Sequence, residues 1–512
     1  MDDFPVLTAL ALVPLLGSLA VAVLPRDRDQ LAKQVALGFS LAVLAGVVWL
    51  ALAFDANSRD AFQFNETYEW IPQFGVSYAL GIDGIALVLI ALTAVLVPVC
   101  ILASWHDAKS EERSAGGFFA LVLLLETFVI GAFAARDVFL FYVLFEAMLV
   151  PMYFLIGSYG GAQRSYAAVK FLLYSLAGGL LMLAAVIGLY VVSAGGPQAF
   201  LFENLLGTEM STGTERLLFG GFFIAFAIKA PMWPLHTWLP DAASEAPPGG
   251  AVLLVSVLDK LGTFGMIRFT LPLFPDASIW ARPAVITLAV VGIIYGALLA
   301  IGQSDMMRLI AYTSISHFGF IVLGIFAMTS QAQSGATLYM VNHGLSTAAL
   351  FLVVGFLISR RRSRLIRDYG GVQKVAPVLA GTFLVAGLSS LALPGLAPFV
   401  SEFLVLVGTF RRYEAVAIIA TVAIILASLY ILLMYQRTMT GEPHEKTSSI
   451  ADLNLRERVV MGTLIAAIIA LGFFPKPVLD VINPAIDRTM EQVGVADPAV
   501  GKPAPAAEGA GE

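Results

Sequence analysis

The chain has 512 residues, 59% hydrophobic and 13% charged, with a mean hydropathy of +0.85 and a formal net charge of -6. A soluble domain of this size would lack the polar residues to cover its surface, so the composition describes a polytopic membrane protein and excludes a basic nucleic-acid-binding face. The single cysteine, Cys100, excludes an internal disulfide and any multi-cysteine metal cluster, and the chain contains no dinucleotide, P-loop or haem-attachment motif.

The first apolar run, residues 4–24, follows Asp2 and Asp3 rather than a basic segment and is too long for a signal core, so it is expected to stay as a transmembrane helix. Apolar runs long enough to span, roughly twenty residues each, then recur at 31–54, 78–104, 116–134, 138–157, 167–193, 217–236, 249–271, 284–303, 308–329, 336–359, 378–410 (broken), 415–435 and 459–474. The expected fold is an all-α polytopic membrane protein of about fourteen transmembrane helices. Loop charge supports the register. Odd-numbered loops gather most of the basic residues, including Arg26, Lys109, Arg308 and the run Arg360, Arg361, Arg362, Arg364 and Arg367. Even-numbered loops hold only Arg59, Arg136, Arg216, Arg268, Arg282, Arg411 and Arg412. That asymmetry puts the odd loops in the cytoplasm and both termini on the outer side; the chain's length and its Ala/Gly-rich tail point to a bacterial plasma membrane.

The seventh helix is interrupted at Pro231 and Pro234, and the twelfth at Leu393-Pro394-Gly395-Leu396-Ala397-Pro398, five helices later. An odd offset makes the second unit inverted relative to the first, and broken helices at matching places in inverted repeats point to an ion site near the midplane. The expected organisation is three N-terminal helices (1–115), a first five-helix repeat (116–271, helices four to eight) and a second, inverted one (284–435, helices nine to thirteen). A loop and the fourteenth helix (436–474) and an extramembrane tail (475–512) follow. Residues 496–512, rich in Ala, Pro, Gly and Glu, have too little apolar surface to build a core.

Charged residues inside the apolar runs mark the chemistry. Glu146, Lys229, Lys260 and Glu402 each sit where a lipid-facing helix would carry none, and a lysine at the bilayer centre costs about 2.5–3.5 kcal/mol on insertion scales. His317 and His343, on the tenth and eleventh helices, can pass a proton through either ring nitrogen. A helix-to-helix strut for Glu146, snorkelling for the lysines and a half-helix cap for Glu402 are the structural alternatives. His236 is expected at the membrane interface. A Glu/Lys pair attracts by roughly 4 kcal/mol at about 4 Å and by about 2 kcal/mol at about 8 Å, at an effective dielectric near 20. A small change of separation therefore shifts which partner holds the proton.

The segments FYVLFEAMLVPMY, AFAIKAPMWPLHTWLPDAASEAP, SDMMRLIAYTSISHFGF and LPGLAPFVSEF resemble the antiporter-like subunits of respiratory complex I, the proton-pumping NADH:quinone oxidoreductase, and their relatives in multisubunit Na+/H+ antiporters. Glu402 on the broken twelfth helix is similar to the M-type subunits (chain 4 of the mitochondrial enzyme), where the L and N types carry lysine. The resemblance implies Glu146 and Lys229 as a coupling pair, Lys260 and His317 as a central relay, Glu402 at the exit and His343 lining the path. It also implies FMN, iron–sulfur clusters, NADH and quinone in partner subunits with no cofactor in this chain, and L- and N-type subunits as neighbours. A subunit of an Mrp-type Na+/H+ antiporter is the alternative. Two residues depart from the pattern. Met307 stands where the family often has lysine, and Asp259 precedes Lys260. Adjacent helical residues point about 100° apart, so Asp259 is expected to face a neighbouring helix or subunit rather than the relay.

Overall fold

Long apolar stretches that bury every backbone polar group can cross a membrane only as helices or closed barrels, and this chain takes the helical solution. The computed structural model describes residues 4–106, 108 and 113–499; the expected loop charge Lys109 and residues 500–512 of the expected tail lie outside the described residues, while the start of that tail is helical over Lys476–Val493. The helices are α1 (Val6–Ala22), α2 (Asp29–Ala53), α3 (Gly84–Ala103), α4 (Ala115–Ala134), α5 (Val138–Tyr159), α6 (Arg164–Val192), α7 (Thr212–Lys229), α8 (Pro248–Leu273), α9 (Pro275–Ile301) and α10 (Met306–Phe326). They continue with α11 (Ser330–Arg361), α12 in two halves (Pro377–Ser390 and Ala397–Phe410), α13 (Glu414–Met439), α14 (Leu455–Phe473) and α15 (Lys476–Val493); a short elbow helix, Trp238–Glu245, sits between α7 and α8.

Each expected span coincides with a helix, but the count of fourteen is not reached by length and composition. Among the described residues 10 helices pass that test, and up to 11 if the pair α14 and α15, bent by 70°, is one span. The others fall short for stated reasons. α1 and both halves of α12 are short, and α7 carries Glu215, Arg216 and Lys229.

One element departs from an all-helical fold. Residues Gln63–Ile71 (β1) and Val76–Ile82 (β2) pair antiparallel, with Tyr68 opposite Tyr78 and Gly75 turning the chain at φ 68°. Tyr, Val and Ile favour a pleated, half-buried surface. A hydropathy reading merges β2 into the third helix, which starts only at Gly84. The hairpin is joined to the bundle by buried carboxylates. Glu66 accepts from the Leu7 N–H at 2.6 Å and from the Thr8 hydroxyl, so it supplies the cap that Pro5 cannot give to α1. Asp83 caps α3 through the Ala86 N–H (2.9 Å) and pairs with Arg268 at 2.6 Å. Arg268, counted with the even-side loops as a helix-end residue of the span 249–271, is buried near the end of α8, with its guanidinium over Phe62 and Phe264.

Several helices meet backbone to backbone. A Cβ built on Gly262 of α8 would lie 2.7 Å from the Ala230 nitrogen, just past α7, and one on Gly408 of α12 would lie 2.4 Å from the Ala332 nitrogen of α11. Both sites require glycine for the close approach.

The loop after α13 ties down the first half of α12. That half-helix has Ala376 at its cap, so its first N–H groups have no local side-chain acceptor. Asp452 accepts from Val378 (3.0 Å) and Leu379 (2.9 Å) instead. Partial burial pushes the Asp452 carboxyl up, but the backbone donors of Val378, Leu453 and Leu379 and the charge of Arg458 outweigh it and hold the group below the usual carboxylate range. A carboxyl depressed in the folded state stabilises above its unfolded value of about 3.9, and that contribution is lost as pH falls through the folded value. Amide exchange at Val378 and Leu379, corrected for intrinsic rates, should therefore lose protection on acidification below about pH 4, and Asp452→Ala should show the same loss at neutral pH.

Candidate functional site

Two helix breaks and one set of wide turns place the buried charges. In α5 the regular helix stops at Ala147 and resumes at Leu149. Pro151 has no N–H and its ring crowds the carbonyl four residues back, that of Ala147. Glu146 thus stands on the last turn before a discontinuity. The carboxyl lies against Gly179 of α6, where a built Cβ would be 2.0 Å from its Oε1. Only a glycine leaves that space. Oε1 has no hydrogen-bond partner.

Lys229 is the final residue of α7, which ends before Pro231 as expected. The carbonyl of Ile228, left over at the helix end, is taken by the indole N–H of Trp238 at 2.9 Å. Lys229 is 1% exposed, so it does not snorkel, and its ammonium has no hydrogen-bond partner. It lies 4.7 Å from the Phe145 ring centroid and 5.8 Å from that of Phe171. Such cation–π contacts are worth about 0.5–2 kcal/mol each. Glu146 and Lys229 act on one another electrostatically without touching.

Lys260 lies in α8 between two π-helical stretches, Leu253–Leu258 and Met266–Thr270; such wide turns are frequent at functional sites. Its Nζ donates to the Val255 carbonyl (2.9 Å), meets His343 Nδ1 at 2.6 Å and lies 4.6 Å from the Phe318 ring centroid. With Lys260 charged, His343 Nδ1 accepts and its buried Nε2 carries the proton; with Lys260 neutral, the roles reverse. His343, a path-lining residue by resemblance, is thus the direct partner of Lys260.

His317 comes next. Its ring centroid is 5.3 Å from that of His343 and 5.9 Å from that of Tyr339, and the ring reaches the backbone of Ser390, the last residue before the break in α12. The Tyr339 hydroxyl donates to Glu402 Oε2 at 2.9 Å. Glu402 is 6% exposed and does not cap the second half of α12, whose start has no side-chain cap; the Ala397 carbonyl there accepts from the Asn342 amide at 2.7 Å. Four of the six sequence-selected residues, Lys260, His343, His317 and Glu402, are thus joined through one buried series of contacts that includes Tyr339, while Glu146, half-buried, and buried Lys229 form a separate electrostatic pair.

Sequence reasoning missed several participants. Tyr339, Gly179 and the aromatic faces over the lysines read as ordinary membrane residues. Asp259 was expected to face away; it is fully buried with both oxygens unpartnered, and the charges of Lys260 and Lys229 both act on it. His236, expected at the interface, is 2% exposed and packs on Tyr295 with centroids 5.2 Å apart. A second network sits at the elbow helix. Asp241 pairs with Lys170 (2.7 Å) and Arg308 (2.6 Å), while Glu245 pairs with Arg364 (3.0 Å), which also meets Asp305 (3.2 Å). These pairs bind the break in α7 to α6, α10 and the segment after α11.

A bundle of membrane helices with a buried file of acid–base side chains between two broken helices defines a membrane subunit of the ion-translocating class. The family described as "NADH:quinone oxidoreductase/Mrp antiporter, TM" matches residues 135–427, and that of "NADH-ubiquinone oxidoreductase chain 4, amino terminus" matches residues 61–132. The chain is 53% identical to NADH-quinone oxidoreductase subunit M of Mycobacterium tuberculosis, over 99% of this chain and 98% of the relative. It is 40% identical to the subunit M of Escherichia coli, over 94% and 97% respectively. A chain of respiratory complex I from Thermus thermophilus superposes with a TM-score of 0.87 at 30% identity, over 96% of this chain and 100% of that one. A chain of the Mrp complex from Dietzia sp. shares the fold at a TM-score of 0.83 and 20% identity. The chain belongs to the family of M-type (chain 4) antiporter-like subunits of NADH:quinone oxidoreductase.

Proposed function

We infer that this chain is a proton-translocating membrane-arm subunit of a bacterial NADH:quinone oxidoreductase, moving protons from the cytoplasm outward. The observation that carries this reading is the buried series of acid–base side chains from Lys260 through His343, His317 and Tyr339 to Glu402, beside the Glu146/Lys229 pair. Glu146 and Lys229 act as the coupling pair, Lys260, His343 and His317 as the relay, and Glu402 as the exit carboxyl. The inverted repeats at 116–271 and 284–435, each with its broken helix, give the path one half-channel from either side. NADH, FMN, iron–sulfur and quinone chemistry is assigned to partner chains on the strength of the family; for the iron–sulfur clusters, the chain's single cysteine is too few to ligate one. Antiporter-like subunits of the L and N types are the expected neighbours.

Affinity purification from native membranes tests the assignment. A complex with flavin and iron–sulfur absorbance that couples NADH oxidation to proton uptake in inverted vesicles is expected. A colourless, membrane-only assembly exchanging Na+ for H+ would place the chain in an Mrp-type antiporter instead. Within the relay, Tyr339→Phe removes the one hydrogen bond offered to Glu402. A hydrogen bond to a charged group is worth about 1.5–3 kcal/mol, so proton uptake per assembled complex should fall roughly tenfold, with assembly unchanged.

A further inference from the structure

Lys229 and Lys260 share no hydrogen-bonded atom, yet the relay requires a proton to pass between them. The face of α8 turned to the end of α7 is identified by its glycines. A Cβ on Gly262 would lie 2.7 Å from both the Phe226 carbonyl oxygen and the Ala230 nitrogen, and one on Gly265 would lie 2.4 Å from the Phe226 ring. Asp259 stands three residues before Gly262, and helical residues three apart share a face. It therefore looks toward the turn that carries Lys229, while Lys260, one position on, reaches His343. Its carboxyl is entirely buried, neither oxygen has a partner, and Lys229 and Lys260 are the two charges that act on it. A buried carboxylate left unpaired costs several kcal/mol, so the position is expensive as mere packing.

We propose that Asp259 is a proton carrier between Lys229 and Lys260, an inference that rests on the proton-relay reading above. In the first step the Lys229 ammonium gives a proton to the Asp259 carboxylate, leaving a neutral amine and a neutral carboxylic acid. In the second, the acid passes that proton to the neutral Lys260 amine, restoring the carboxylate and forming an ammonium. Charge and protons balance, and Lys260 then hands on to His343. The wide π turn ending at Leu258 sets the rotation of this short segment and so decides which way the carboxyl looks.

The test uses the whole complex in inverted vesicles, comparing Asp259→Asn, Asp259→Glu and Lys229→Ala at equal assembled complex. Asp259→Asn keeps size and polarity but cannot carry a proton. Its NADH-driven proton uptake should fall at least about fivefold, since a positioned proton-transfer group contributes about 10²–10⁴. Asp259→Glu should recover more than half of the wild-type rate. A redox-induced infrared band of a protonated carboxyl should be present in wild type and absent in Asp259→Asn. Should the asparagine variant fail to assemble, Asp259→Ser is read in its place. Wild-type pumping in Asp259→Asn beside a defective Lys229→Ala overturns the proposal and leaves the relay standing. Equal losses in the Asn and Glu variants with the infrared band unchanged assign Asp259 to packing and also overturn it. Wild-type pumping in all three variants removes the relay reading itself.

Discussion

Lys229→Ala, in a fully assembled complex, should depress NADH-driven proton uptake and quinone reduction together by at least roughly tenfold. The argument is geometric. Lys229 is sealed at the end of α7 between Phe145 and Phe171, with no hydrogen bond to any oxygen. Aromatic faces accommodate a cation without accepting a proton, and beyond burial itself the charges that act on the lysine are those of Glu146 and Asp259. Alanine removes the group on which both converge. Parallel loss of electron transfer and proton uptake marks obligatory coupling; intact electron transfer with lost Na+-driven proton exchange would instead identify an antiporter. Lys229→Arg should not rescue, because guanidinium stays protonated throughout the relevant range.

Gly179→Ala should be nearly as damaging as Glu146→Gln, although it alters no ionisable group. The added methyl would fall 2.0, 2.4 and 2.7 Å from Oε1, Cδ and Oε2 of Glu146, so the whole carboxyl must rotate away. Such a rotation changes the separation from Lys229, on which the attraction depends inversely, and each loss of about 1.36 kcal/mol of attraction shifts a proton equilibrium about tenfold. Gly220→Ala on α7, where a Cβ meets nothing within 4 Å, is the control and should pump normally. Wild-type pumping by Gly179→Ala would mean that Glu146 works from another rotamer and that its observed placement is dispensable.

Much of this was legible in the sequence, for reasons that differ by level. A lysine or glutamate inside an apolar run stands out because burial of charge is costly wherever it occurs, and Pro231 and Pro394 signal breaks because they remove N–H donors. What stayed hidden depends on angles and distances. The hairpin strand Val76–Ile82 is as hydrophobic as the helix that follows, so a hydropathy window merges them. The break at Met148 was implied by Pro151 but sits within an otherwise unbroken apolar run. Asp259 was expected to face a neighbouring helix or subunit; that it is fully buried and acted on by both lysines depends on the turns around it, of which those before it are π-helical. Gly179 and Tyr339 are commonplace membrane residues until their neighbours are known. His343 was placed along the path, and only the structure put it against Lys260.

The glycine contacts carry a mechanical consequence. Where backbones already touch, as at Gly262 against Ala230 and Gly408 against Ala332, a helix cannot slide or roll by an ångström without steric overlap. The frame is stiff along those seams, and both broken helices are attached to it. In the relay proposed above, free energy delivered to Glu146 is taken up by the soft degrees of freedom, namely carboxyl and lysine rotamers and imidazole flips, which reorient in picoseconds to nanoseconds when exposed and more slowly when packed. On that proposal the subunit is a rigid housing for a few short levers.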